Sequence, residues 1–186
     1  PVDYQIARRV KSECEAFGVR PENFASDATG IGRGVFAILH QEWSGRIHRV
    51  EFGGLATEIP ASEDDQRPAR QVYDRRVTEL WFSARTIMRA GRLKGMTQDQ
   101  VRDFTTREYT TRASLYRLQT KEEMREIYGR SPDHGDALAV MIDGIRHSGY
   151  AGQNAATDRD GGTGWKQLAA NANAVYENVD YATEND

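Results

Sequence analysis

At 186 residues, with 25 Lys and Arg against 28 Asp and Glu and one cysteine, the chain is long enough for one cored domain plus a tail and cannot close an internal disulfide. It contains no run of about 18 apolar residues, which excludes a membrane-spanning helix, and "PVDYQIARRV" has no leader-like sections, so a cytoplasmic protein is expected. The net charge of −3 is uneven: six acids and two bases from Tyr150 onward carry −4, leaving +1 on the first 149 residues, so nucleic-acid contact would have to rest on a local patch.

In chain order, Ile6, Val10, Cys14 and Phe17 recur at helical spacing, and Gly18 follows as a stop. Cys14 falls inside that helix and reads as an idle thiol. "RPENFASDATG" offers a short strand ending near Asp27, and "GIGRGVFAILHQEW" becomes a second helix through about Trp43. Ile47 to Phe52 alternates as a strand. The order α-β-α-β suggests a parallel sheet with helices packed on it.

"EIPASEDDQRP" is a polar loop. Residues Arg67 to Arg92 read as one long helix, with Val72, Val77, Leu80, Trp81, Ala84, Ile87 and Met88 on its apolar stripe. The arginines Arg67, Arg70, Arg75, Arg76, Arg85, Arg89 and Arg92 read mostly as its solvated face, some of them available to a phosphate backbone. A shorter helix follows in "GRLKGMTQDQVRDFTTREY", then a strand in "TTRASLYRLQ" and a capped helix in "TKEEMREIYG". "GRSPDHGDALAVMIDGIR" is helical, with Ser131 as N-cap and Pro132 at the first position. From Ser148 the chain turns Gly-, Asn- and Asp-rich, and 148–186 reads as a flexible acidic tail with a short helix near Trp165 to Tyr176.

Two constellations carry chemistry. In "SDATGIGRGV", Asp27 ends a strand where open α/β sheets place ligands, and Gly30, Gly32 and Gly34 permit close backbone approach. The plainer reading is that Asp27 and Thr29 cap a helix and the glycines turn the chain. A nucleotide-binding reading, with Glu51 about 20 residues on, suffers from GxGxG spacing and an acid before the turn. In "SPDHGDA", Asp133 and Asp136 share a helix face. Asp133 has a place in the first turn, but Asp136 stands beside the apolar stripe, where an unpaired carboxylate is costly. Carboxylates from different elements are what magnesium takes, and two metals about 4 Å apart can cleave a phosphodiester. His40, His48, His134 and His147 have no zinc-like spacing, and His134 reads as a bystander.

"DATGIGRGVFAIL", "YDRRVTELWFSARTIMRAGRL" and "LQTKEEMREIYGRSPDHGDALAV" together resemble the C-terminal nuclease domain of tailed-phage and prophage large terminase subunits. The resemblance runs from about Val2 to Ile145 and is most specific in "KEEMREIYGRSPDHGDAL". It implies a ribonuclease H-like mixed sheet flanked by helices, and a divalent-metal-dependent endonuclease that cuts concatemeric double-stranded DNA. By motif, Asp27 matches the acid before the glycine turn. Either Asp133 or Asp136 fills the late helical acid, with Asp136 favoured and Asp133 auxiliary. The metal would be Mg2+ or Mn2+.

The family's first acid-bearing strand has no counterpart here, Asp3 being on a helix start, and no Walker "GxxxxGK[ST]" occurs. The expectation is therefore a partial nuclease domain over 1–147, incomplete at its N-terminus, with the tail at 148–186. The first acid would come from an ATPase or first-strand segment on another chain. The small terminase subunit and the portal are partners implied by the resemblance, and the alternative is a catalytically incomplete DNA- or partner-binding module.

Overall fold

Helix α1 (Val2–Ala16) follows from its apolar spacing and stops before Gly18, which takes the left-handed φ of +66°. The computed structural model describes residues 1–30 and 32–148, and the expectations for 149–186 lie outside them. Strand β1 (Ala25–Asp27), helix α2 (Gly32–Glu42) and strand β2 (His48–Val50) come next. The strands pair in parallel, Ala25 opposite His48 and Asp27 opposite Val50. Parallel neighbours need a crossover, and α2 supplies it. Ala7 of α1, Val35 and Leu39 of α2, and Ile47 share one apolar core.

The long helix expected from Arg67 is helical only as α3 (Arg76–Arg89). Pro68 is extended at ψ 136°, and only one 3-10 turn (Ala69–Gln71) follows it. Val72 to Asp74 instead runs beside a later strand: Tyr116 N–H donates to Val72 O at 2.8 Å, and Asp74 N–H donates to Tyr116 O at 3.0 Å. Backbone groups committed to a strand cannot also close helical turns. Val72 and Tyr73 remain buried, but in a core with Ala56 and Ala69.

Helix α4 (Gln98–Thr106) and helix α5 (Lys121–Tyr128) each begin with a complete capping box, Thr97 with Gln100 and Thr120 with Glu123. The single strand expected between them is a hairpin, β3 (Tyr109–Arg112) and β4 (Leu115–Leu118), with Tyr109 opposite Leu118. Its two-residue turn puts Ala113 at φ 49° and Ser114 at φ 67°. That twist suits a hairpin, but such turns normally signal themselves with Asn or Gly. Tyr109 and Tyr116 pack their rings on Phe82 of α3, each with centroids 5.1 Å apart. Period-two alternation then puts Arg112, Leu115 and Arg117 on the other face.

Helix α6 (Asp133–His147) lies across β1, β2, α3 and α4. Its Ala139 joins Val50, Phe52, Leu80, Trp81 and Leu118 in the main core. Beneath its second half sits a buried polar knot. Glu79 of α3, 1% exposed, accepts from Thr57 N and Oγ1 at 2.8 Å each, from Arg76 at 2.6 Å and from Arg146 at 3.0 Å. Arg76 also pairs with Asp143, whose Oδ2 is 2.9 Å from His48 Nε2. Arg76 is thus part of the interior rather than of a solvated face.

Burial alone would push the Glu79 carboxyl up. The Thr57 amide and hydroxyl and the Arg76 guanidinium outweigh it and hold the group below its ordinary 4.5. A depressed folded value means stabilisation that is present above the unfolded pKa and lost as pH falls through the folded one. Urea unfolding from pH 6 downward is expected to show stability falling below about pH 4.5, and Glu79→Gln to flatten that fall.

Candidate active site

The start of α6 is not capped as the sequence suggests. Pro132 takes the N-cap position without any side-chain bond, and the Ser131 hydroxyl is buried without a partner. The acceptor comes from α4. Asp103, fully buried, takes the Gly135 N–H on Oδ2 at 3.0 Å and pairs with Arg130 through Oδ1. An acid at a helix's first turn also suits the dipole. Gly135 is required for close approach, since a Cβ there would lie 2.6 Å from the Trp81 ring.

Asp136, one residue on, is 5% exposed. Its Oδ1 accepts from Trp81 Nε1 and from Arg107 Nη1, both at 2.9 Å. Its Oδ2 lies 2.7 Å from Lys121 Nζ, an ion pair with the ammonium, and has no other partner among the described residues. The same ammonium is 3.6 Å from Asp133 Oδ1. The two acids therefore converge on one cation, Asp133 from solvent and Asp136 from the interior. Arg107 stacks over the Trp81 ring at 4.5 Å, and burial pushes its guanidinium below its usual pKa against the pull of Asp136.

Asp27 ends β1 as expected. Its Oδ1 accepts from Thr29 N at 3.0 Å and Thr29 Oγ1 at 2.7 Å, and Oδ2 has no hydrogen-bond partner among the described residues. The glycines beyond it serve packing: Gly32 is pressed on the Asp27 carbonyl and Gly34 on the Asp3 carboxylate. Glu51, the acid of the nucleotide reading, pairs with Arg49 at the surface. His134 is exposed, 3.7 Å from Asp99.

Thr29 and Lys121 line a single cleft of about 710 Å3. Phe52, Val77 and Leu118 form apolar parts of its wall. Arg75, Arg107, Arg112, Arg117 and Lys121 face two acids, Asp74 and Glu122, so the cleft is cationic although the chain is not. This is the local patch that the overall charge hides.

Among the described residues no group of three His, Cys, Asp or Glu gathers as a metal site. Magnesium, however, is commonly held by one or two carboxylates, with water and substrate phosphate completing the shell. Asp133 and Asp136, which share the Lys121 ammonium, are two carboxylates of that kind, and Asp27 is bound to Thr29, another lining residue of the cleft.

No protein-family model matches the chain, and no curated protein matches it by sequence. Among solved structures it is similar to the nuclease domain of the large terminase subunit gp2 of bacterial virus Sf6. The TM-score is 0.48 at 17% identity, covering 62% of each chain. A K428A mutant of that domain with manganese gives 0.47 at 17% identity, covering 62% of this chain and 63% of that one. The chain thus spans less than two thirds of the solved domains it resembles.

Three participants escaped the sequence reading, Trp81, Asp103 and Arg107, whereas Lys121 opens the motif that carried the resemblance. The sequence signal for Asp103 was its place next to Phe104 in a short helix, and in the structure it is the one buried residue of α4. Arg107 had none, since it follows a helix end and reads as surface. Removing it would take from the buried Asp136 its one fully buried cation, leaving the indole and the partly exposed Lys121 ammonium. Arg107→Met is expected to cost about 3–5 kcal/mol in urea unfolding, well beyond a surface arginine such as Arg9.

Proposed function

We propose that this chain is a nuclease domain of the DNA-packaging terminase type, acting on double-stranded DNA with Mg2+ or Mn2+. The observation that carries the reading is the shared cleft. Thr29, hydrogen-bonded to Asp27, and Lys121, ion-paired with Asp133 and Asp136, line the same cationic hollow. None of the three acids lines the hollow itself; each is joined to it through one of these partners, Asp27 from a strand end and Asp133 and Asp136 from a helix start.

Each residue type has a task in phosphodiester hydrolysis. Arg75, Arg112 and Arg117 offer charge-assisted donors to phosphate oxygens and would seat the backbone in the cleft. Asp27, Asp133 and Asp136 supply the hard oxygen ligands. The metal, when bound, would activate water and stabilise the leaving oxygen. Trp81 and Arg107 hold the Asp136 carboxylate still, which keeps Oδ2 turned toward Lys121. Concatemeric DNA as the substrate, and the small terminase subunit and portal as partners, belong to the same proposal.

A second reading rests on the absence of any three-ligand group among the described residues. The cleft would then hold DNA or a packaging partner without cutting, or would cut only with an acid from another segment.

Manganese-dependent nicking of supercoiled plasmid separates the two. Asp27→Asn and Asp133→Asn are expected to lower it more than about 100-fold, beyond what loss of a supporting residue causes. Both acids are free of the buried arginine, so folding should survive. Nicking that persists in both variants would sink the catalytic assignment. A chain that binds DNA without nicking it would favour the second reading, and a segment carrying a further acid would then restore cleavage.

A further inference from the structure

We infer that the acidic segment 175–186 of this chain, "VYENVDYATEND", docks in the cationic cleft and competes there with DNA. The inference rests on the phosphate-seating role given to the cleft above and adds a control that the chain itself supplies. The cleft is mixed in character. Phe52, Val77 and Leu118 give it an apolar wall, and its cations are of two kinds. Arg107, Arg117 and Lys121 are already ion-paired, with Asp136, Glu123 and the two acids of α6 respectively. Arg75, at the start of α3, and Arg112, at the end of β3, are exposed and pair with no acid among the described residues. The cleft therefore offers uncompensated positive charge beside apolar surface.

The segment carries the complementary pattern. It holds Glu177, Asp180, Glu184 and Asp186 and no base, and it interleaves these acids with Val175, Tyr176, Val179 and Tyr181. Carboxylates answer the two free guanidinium groups, and the apolar side chains answer the cleft wall. Reach is no obstacle. The described chain ends at Ser148, the C-cap of α6, and the residues from there to 175 can span roughly 85 Å when extended. A folded body of this length is only about 40 Å across. Tethering also makes weak docking sufficient. A linked segment acts at an effective concentration on the order of 1 mM, so a docking constant of about 0.1 mM would weaken DNA binding about tenfold. Duplex DNA, with one phosphate charge per about 1.7 Å of axis, is the denser polyanion and displaces the segment once it is concentrated at the cleft.

The test measures binding of a short labelled DNA duplex to the full chain by fluorescence anisotropy, without metal. Neutralising the segment with Glu177→Gln, Asp180→Asn, Glu184→Gln and Asp186→Asn is expected to tighten binding about tenfold at low salt, the gain shrinking as salt rises. Removing as much charge from exposed acids elsewhere, with Glu13→Gln, Glu15→Gln, Glu58→Gln and Glu63→Gln, is expected to change it less than about threefold. On the same chains, the backbone amide resonances of Arg112 and Arg117 are expected to move in the segment variant and to stay in place in the other. Equal duplex binding by the unmutated chain and the segment variant would overturn the docking and leave the DNA reading intact. Equal tightening in both variants would overturn it too, as an effect of charge without contact. Hairpin amides that stay in place in the segment variant would overturn it whatever the duplex does. No duplex binding by any of the three chains would sink the DNA reading, and the amide shifts would then decide the docking on their own.

Discussion

The structure turns on one buried charge. Asp136 sits in the interior of α6, where an isolated carboxylate would be untenable, and is kept there by an indole and two cations from three other elements. Trp81 comes from α3, Arg107 from the end of α4 and Lys121 from the start of α5. Because each partner is fixed by its own element, satisfying this one group sets how α3, α4, α5 and the front of α6 meet. Asp103 strengthens the same junction by capping α6 from α4, and Gly135 lets the Trp81 ring lie against the helix backbone.

The same helix repeats the device two turns on. Asp143 points to β2 and α3, meeting His48 and Arg76, while Arg146 reaches Glu79. Here every charge has several partners and no oxygen of Glu79 is left without a donor. The comparison separates the two knots by kind. A fully satisfied network rigidifies a fold. Asp136 Oδ2 instead has one ionic partner, the Lys121 ammonium, and that pair lies at the wall of the cleft.

Local chemistry in the sequence was legible wherever a short motif determined it. Thr120 with Glu123 predicted a capped helix, Gly18 predicted a stop, and α-β-α-β order predicted the parallel pair of β1 and β2. Asp27 and Asp136 were visible as acids at a strand end and beside an apolar stripe. What could not be read was tertiary. Val72 opens a helical stripe in sequence, but its carbonyl and the Asp74 amide were claimed by Tyr116, more than 40 residues later. The hairpin was hidden because Ala113 and Ser114 adopt positive φ without the glycine or asparagine that would announce it. Ser131 looked like a cap and was displaced by a residue from another helix.

The hairpin's turn also bears on how the cleft is built. Positive φ at an alanine costs on the order of 1–2 kcal/mol, and such strain persists only where surrounding contacts over-determine it. Those contacts are the rings of Tyr109 and Tyr116 on Phe82, behind the hairpin. They hold β4 against Val72 and so turn Arg112, Leu115 and Arg117 into the cleft. The aromatic face thus positions the arginine face, and Leu118, at the strand's end, joins the core beneath Trp81. A cationic wall built on a strand pair is fixed more firmly than one carried on a loop. It shares the cleft with Lys121, the ion partner of Asp133 and Asp136.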